Sequence, residues 1–238
     1  MARPLKSSAT SSGRRSEWTE LAPKAGLGGV IEAAWIGWAG WARRLRLIPD
    51  GCADLVWDGS RLAAAPARDQ AAYGLLTANA CNVGLRIRCG MAGAILGSPP
   101  SLSAWGALAS DGEWRLRRAR DPQRQVEVLE QLVEHRLADR PIDLAVLTAV
   151  DEIRTGAPLE RAAQAASLEP RELRRRFTSA VGLSPKRLQR VLRFERLRRR
   201  LGQTSDADLA AELGYADQAH MIRECRAISG STPRQLAR

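Results

Sequence analysis

The chain has 238 residues, 45% of them hydrophobic, and a formal net charge of +11 at pH 7. This length allows one or two globular domains. No apolar stretch approaches the roughly 18 residues of a membrane-spanning helix, and no apolar signal region follows the basic N-terminus, so the sequence predicts a cytoplasmic protein that does not contact a membrane. The cysteines form no C-x-x-C pair and the histidines stand at no metal-ligand spacing, so neither a metal nor another cofactor is predicted.

The first half of the chain divides into an arm and a domain. Residues 1–17 show no hydrophobic periodicity and are predicted to form a disordered arm. Residues 18–118 alternate short apolar stretches with Gly, Pro and Asp turn signals, which predicts an α+β domain. The predicted strands are 30–38, 43–48, 53–57, 61–65 and 82–88, and a short helical turn is predicted at 91–96.

A helical connector is predicted over residues 119–143. Its apolar residues recur at the spacing of one helix face, and they are Val126, Leu129, Leu132 and Val133. The apolar stripe continues after the connector at Leu144, Leu147, Val150 and Ile153. Such a face must pack on the front domain, on a partner subunit or on the helices that follow.

An internal repeat follows, in which a segment returns 48 residues later. The matched pairs include Ala162 with Ala210, Ala163 with Ala211, Gly182 with Gly230, Ser184 with Thr232 and Pro185 with Pro233. Each copy has a short helix, a tight turn, a second helix and a stop made by Gly and then Pro, which is typical of a helix-turn-helix. Residues 156–238 hold 17 Lys and Arg against 9 Asp and Glu, so the repeat is predicted to bind DNA.

The second helix of each copy is the predicted recognition helix. In the first copy it runs over residues 170–180 with Leu173 and Phe177 buried. In the second copy it is capped by Asp217 and runs to about Ser229, with Met221 and Cys225 buried. A long helix over 184–201 joins the copies and spans roughly 27 Å. This length suits two recognition helices about one turn of DNA apart, roughly 34 Å, which predicts a bipartite site. The predicted phosphate contacts on the long helix are Lys186, Arg187, Arg190 and Arg199.

Two stretches carry a resemblance to a known family, RELRRRFTSAVGLSPKRL in the first copy and DLAAELGYADQAHMIRECRAISGSTPRQLAR in the second. Through them, residues 144–238, about 40% of the chain, resemble the DNA-binding domain of the AraC/XylS family of bacterial transcriptional regulators. The resemblance implies promoter binding, RNA polymerase as a partner, and activation. It implies base contacts by Arg171, Arg174, Arg175, Gln218, His220, Ile222 and Arg223. Cys225 departs from the family, which usually has Phe there, so looser packing of the second copy is expected.

The front domain has a weaker resemblance of its own. The stretches LIPDGCADLVW at 47–57 and LRIRCGMAGAILG at 85–97 resemble the small domain that precedes AraC-type domains in many GC-rich bacteria. This implies a sensor or partner module and names no ligand. The candidate effector pocket consists of Trp35, Trp38, Cys52 and Trp57, and the alternative is that these side chains only fill the core.

Together these observations predict an α+β N-terminal domain followed by an all-α C-terminal domain with two helix-turn-helix motifs joined by a long linker helix. The expected function is a sequence-specific transcriptional activator gated by a signal at the front domain. The expected partners are double-stranded DNA, RNA polymerase, a small-molecule effector and a second copy in a homodimer. No nucleophile, base and orienting group stand together, so an enzyme is not predicted. Two alternatives stay open: a front domain that only dimerises, and an alkyl acceptor or thiol sensor that uses Cys52, Cys81 and Cys89.

Overall fold

The computed structural model describes residues 16–237, apart from the side chain of Ala104. Most of the predicted N-terminal arm, residues 1–15, lies outside the described residues, and Glu17 begins the first strand. The strands are β1 Glu17–Leu21, β2 Ile31–Trp38, β3 Arg43–Leu47, β4 Ala53–Trp57, β5 Leu62–Ala65, β6 Ala72–Leu76 and β7 Cys81–Ile87. The five predicted strands match β2, β3, β4, β5 and β7 to within one residue. The strands β1 and β6 have no counterpart in the prediction.

Five of the strands form one antiparallel sheet in the order β1-β2-β7-β4-β5, and β3 pairs with β6 in a separate ribbon. In the large sheet, Gly84 of β7 lies opposite Trp35 of β2. A Cβ atom at Gly84 would come within 2.3 Å of the Trp35 ring, so this position requires the absence of a side chain. On its other side Trp35 stacks on Trp18 of β1, with ring centroids 4.6 Å apart. These contacts fix the register of the three strands.

Three helices cover one face of this sheet: α1 Ala92–Leu96, α2 Ala107–Arg118 and α3 Pro122–Ala138, with a 3₁₀ turn at Leu102–Trp105 ahead of α2. The predicted connector is α3, and its apolar face packs into the front core. Leu129 and Leu132 of α3 are fully buried in the same cluster as Leu55, Leu85 and Ile87 of the sheet. The sheet-rich region therefore reaches its full core only with α3 in place.

The C-terminal region is helical. Its elements are α4 Leu144–Thr155, α5 Leu159–Ala165, α6 Pro170–Val181, α7 Pro185–Arg200, α8 Asp206–Glu212, α9 Gln218–Ser229 and α10 Pro233–Leu236. The matched glycines of the repeat, Gly182 and Gly230, end α6 and α9 in the left-handed conformation, with φ of 84° and 73°. The prediction of a sheet-rich region followed by two helix-turn-helix units is confirmed.

Two hydrophobic clusters stabilise this region, one for each unit. The linking helix α7 contributes Leu188 to the first cluster, and Phe194 and Leu197 to the second. One predicted core position is wrong: Leu144 is 71% exposed, because it is the first residue of α4 and the buried face of that helix starts at Val146. Across residues 16–237, no helix is long and apolar enough to cross a membrane.

Candidate nucleic-acid interface

The first recognition helix, α6, separates its apolar and basic residues cleanly. Leu173 and Phe177 are fully buried, whereas Arg171, Arg174 and Arg175 are exposed. Pro170 opens the helix at a position where the missing N–H is not needed. Within the described part of the chain, those three arginines form no ion pair, so their guanidinium groups remain available to guanine edges or phosphates.

Arg176, the next residue, behaves differently from its three basic neighbours. Its guanidinium donates to both carboxylate oxygens of Asp143, at 2.8 and 2.7 Å, and to Glu172 at 3.1 Å. Asp143 also caps the N-terminus of α4 by accepting from Val146. Hydrogen bonds from Arg176 hold the pKa of Asp143 below its usual value. Arg176 therefore anchors α6 to α4, which sets the direction of the exposed arginines.

The second recognition helix, α9, is built in the same way with different side chains. Met221 and Cys225 are fully buried, Gln218 and Arg223 are exposed, and His220 and Ile222 are half-buried. The Nδ1 atom of His220 accepts from the backbone of Ala216 at 3.3 Å. This contact leaves Nε2 of His220 as the ring nitrogen available to a base. The seven predicted base-reading side chains thus lie on the two recognition helices, away from the two clusters.

The predicted phosphate contacts on α7 are mostly paired within the protein. Arg187 lies 3.4 Å from Asp69 of the front domain, Arg190 lies 3.1 Å from Glu224, and Arg199 lies 3.9 Å from Glu195. Lys186 is exposed, and no ion pair joins it to another residue in 16–237. Phosphate contact by these residues stays a prediction, and Arg190 would have to share its guanidinium with Glu224.

A family model described as a helix-turn-helix domain matches residues 162–238, which include both recognition helices. Residues 162–238 form an AraC-type helix-turn-helix domain. This helix-turn-helix match supports a role as a DNA-binding transcriptional regulator. No curated protein matches the chain in a sequence comparison.

Among solved structures, the chain is similar to the C-terminal domain of AraT, a response regulator from Geobacillus stearothermophilus. The two are 23% identical with a TM-score of 0.36, and the match covers 39% of this chain and 83% of the AraT chain. It is also similar to ToxT from Vibrio cholerae O395, with 11% identity, a TM-score of 0.38, and coverage of 84% and 89%. These are distant likenesses, and the family match to residues 162–238 carries the assignment.

The front domain contacts the C-terminal end of each recognition helix of the AraC-type domain. At α6, Gly93 of α1 packs so closely that an added Cβ would lie 2.4 Å from the backbone oxygen of Ser179. At α9, the N–H of Ala71 donates to the carbonyl of Ile228 at 2.6 Å. Just beyond α9, the Arg46 guanidinium donates to the hydroxyl of Ser231. Sequence reasoning did not find these contacts, because each joins residues far apart in the chain.

A cleft of about 350 Å³ lies where the front domain meets the AraC-type domain. Its walls are largely apolar, and its charged groups are Arg46, Asp50, Asp54, Arg68, Arg86 and Arg198. Of the predicted effector pocket, Cys52 lines this cleft. Trp35 lies behind its wall and donates its indole N–H to Asp54 at 3.2 Å, and Trp57 is 1% exposed in the front core. Neither Trp57 nor Trp38 lines this cleft, and an effector pocket formed by all four residues stays a prediction.

Asp54 and Cys52, which line the cleft, are half-buried ionisable groups. Burial raises the pKa of Asp54 to about 6, against the opposing effect of Arg86, whose guanidinium lies 3.6 Å away. Burial likewise raises the pKa of the Cys52 thiol well above its usual value and that of Cys89 to about 12. A thiol with a raised pKa is mostly protonated at neutral pH and reacts slowly.

Proposed function

We propose that the protein is a sequence-specific regulator that reads a bipartite DNA site with α6 and α9. The observation that carries this proposal is the placement of two recognition helices at the two ends of one 16-residue helix, each with exposed base-reading side chains. The helix α7 is about 24 Å long. The helix-turn-helix units at the two ends of α7 add their own width to this length. The combined span suits insertion of both recognition helices into successive major grooves on one face of the duplex.

Selection of bound fragments from a random double-stranded DNA library by the full-length protein tests this proposal. We expect a motif of two half-sites whose centres lie about 10 base pairs apart. Titration of the best site across salt concentrations then separates specific from phosphate-driven affinity. Recovery of fragments without a common motif, together with a steep salt dependence, would contradict the proposal.

The proposal extends to control by the front domain. Its support is the set of contacts with the ends of both recognition helices, through Gly93 at α6 and through Ala71 and Arg46 at α9. A small-molecule effector seated in the cleft would touch the front domain at Asp54 and the AraC-type domain at Arg198. An effector that binds one arrangement of the two domains more tightly than another would therefore shift one domain against the other.

The direction of control is a further part of the proposal, and it rests on the resemblance of the two repeat copies to the AraC/XylS family. That resemblance supports activation through RNA polymerase, and a transcription assay on the selected site distinguishes activation from repression. A front domain that only dimerises is the alternative, favoured by the exposed Tyr73 and Leu75 on the ribbon of β3 and β6. Sedimentation of the full-length protein, with and without DNA, separates these two roles of the front domain.

Replacing Gly93 with Ala is expected to weaken binding to the bipartite site by about tenfold, or roughly 1.4 kcal/mol. The methyl group would meet the backbone of Ser179 and Ala180, which no side-chain rotation can relieve. Within a helix, Ala is preferred to Gly by about 1 kcal/mol, so the change does not weaken α1 itself. The measurement is the dissociation constant of full-length protein and selected site.

The matched control is Gly112→Ala, a helical glycine in α2 whose added methyl would meet only the flexible end of Leu132 inside the front domain. This variant should bind DNA like the wild type. Equal DNA affinity of Gly93→Ala and wild type would show that the front domain does not influence the recognition helices.

A further inference from the structure

Glu224 is a buried carboxylate in the second recognition helix, and two arginines of the linking helix hold it. Its side chain is 6% exposed. Arg193 donates to both of its oxygens, at 3.1 and 3.2 Å, and Arg190 donates to one of them at 3.1 Å. Charge-assisted bonds of this bidentate kind are strong and directional. They connect α7 to α9 at one fixed distance and angle.

Arg193 makes two more contacts within the second unit. Its guanidinium donates to the carbonyl of Gly214, in the turn between α8 and α9, at 3.3 Å. It also lies over the ring of Tyr215, 4.6 Å from the centroid. One side chain of the linking helix therefore holds both the turn and the recognition helix, so the second unit has little freedom to rotate against α7.

The first unit is attached in another way. Its recognition helix α6 is tied by Arg176 to Asp143 at the start of α4. Leu188 of α7 joins the hydrophobic cluster of this unit, and Gln189 of α7 donates to the carbonyl of Ala157 ahead of α5 at 2.8 Å. The orientation of α9 relative to α6 thus depends on how α9 is fastened to the far part of α7. The ion pairs of Glu224 are one part of that attachment, and the hydrophobic cluster that Phe194 and Leu197 of α7 share with α9 is the other.

We propose that Arg193 and Glu224 are positioning residues that set the half-site spacing accepted by the protein. They act through the angle between α7 and α9, because Glu224 is buried against α7 while its neighbour Arg223 is exposed. The inference rests on the proposed bipartite binding. It adds that the side chains of Arg193 and Glu224 hold the spacing preference together with the hydrophobic cluster of the second unit.

The test uses full-length Glu224→Gln and a series of duplexes. The two selected half-sites stand at the preferred spacing or are moved one or two base pairs closer or further apart. The amide keeps the shape of the side chain and one acceptor oxygen but removes the charge that holds two guanidinium groups. At the preferred spacing the variant is expected to bind about tenfold more weakly, and at shifted spacings its affinity should differ from that of the wild type by less than about threefold.

A second variant, Arg193→Lys, tests the same idea from the other helix. Lysine keeps the positive charge but lacks the planar fork that bonds Glu224 and covers Tyr215. It should flatten the spacing profile as Glu224→Gln does. The matched control is Glu160→Gln, on the exposed surface of α5, which should leave the profile unchanged.

The outcomes distinguish the spacing role of Arg193 and Glu224 from bipartite binding itself. A wild-type spacing preference that both variants retain, even at lower affinity throughout the series, would overturn the inference and leave the bipartite proposal standing. Wild-type binding that ignores spacing would overturn the bipartite proposal and the inference with it. A flattened profile in both variants, with the wild-type profile peaked, supports both.

Discussion

Replacing Phe177 with Ala is expected to lower the free energy of unfolding by about 3–5 kcal/mol. Phe177 is 0% exposed and is among the largest fully buried side chains of the protein. It lies in the cluster of the first unit, whose members come from α4, α5, α6 and α7 and include Cys89 of the front domain. Removing the ring leaves a cavity that these rigid neighbours can fill only in part, so the loss exceeds the transfer energy of the ring.

The distribution of tryptophan makes this prediction measurable region by region. All seven Trp residues lie between Trp18 and Trp114, in the sheet-rich part of the chain. Trp fluorescence therefore follows unfolding of the front domain, while far-UV circular dichroism also follows the C-terminal helices. In urea, the dichroism midpoint of Phe177→Ala should fall clearly below that of the wild type.

The matched control for this variant is Leu144→Ala. Leu144 belongs to the same region but is 71% exposed, so its loss should change stability by no more than about 0.5 kcal/mol. A fluorescence midpoint that falls with the dichroism midpoint would show that the two regions unfold together, as the contacts of Gly93 and Cys89 favour. Unchanged midpoints in Phe177→Ala would contradict the assignment of this side chain to the core.

Phe177 corresponds in the repeat to Cys225, and the structure shows what the smaller residue does. Cys225 is also fully buried, and its thiol donates to the carbonyl of Ser231 at 3.3 Å. Ser229 closes the same turn through its hydroxyl, which lies 3.1 Å from that carbonyl. Hydrogen bonds from Cys225 and Ser229 thus hold the C-terminal end of α9, where the smaller Cys225 replaces a phenylalanine. The ion pairs of Glu224 attach α9 to α7 at another point.

Much of the helical region was predictable because its signals are local. Gly182 and Gly230 end helices through their own backbone conformation, and Pro185 and Pro233 open the helices that follow them. The spacing of Leu173 and Phe177 is that of one helix face, whatever the helix packs on. Periodicity and capping therefore sufficed for both recognition helices and for the side chains they expose.

The parts that were missed depend on partners distant in the chain. No helix was predicted over Ala107–Arg118, where Gly112 of α2 packs against the end of the Leu132 side chain of α3. The burial of Glu224, next to the predicted base contact Arg223, depends on Arg190 and Arg193 of another helix. The pairing of β3 with β6 joins segments separated by a strand pair of the other sheet. No local pattern carries such information.

Replacing Arg175 or Arg223 with Ala is expected to weaken specific binding by about 1–3 kcal/mol each, the discrimination that a bidentate arginine gives at guanine. Both side chains are exposed on recognition helices, one in each unit. Each substitution should also relax base preference within a single half-site, because the other helix is untouched. The measurement is the dissociation constant on the selected site and on variants with single base changes in each half.

Arg199→Ala supplies the contrast, since Arg199 lies near the end of α7 with 61% of its side chain exposed. A phosphate contact carries no sequence information, so this variant should bind all sequences more weakly and reduce the salt slope by about 1. Arg124→Ala, on the exposed surface of α3, is the control for loss of charge alone. Wild-type affinity in both Arg175→Ala and Arg223→Ala would contradict the assignment of α6 and α9 as the helices that read DNA.

The double variant decides whether both helices bind at the same time. Independent sites lose free energy additively, within about 0.5 kcal/mol, when they share no partners. Arg175 and Arg223 lie in different units with separate clusters, so simultaneous docking predicts that their losses add. If one helix docks only after the other, removal of the first contact already abolishes the second, and the double variant loses no more than the worse single one. Additive losses would therefore show that both recognition helices contact the DNA independently in the same complex.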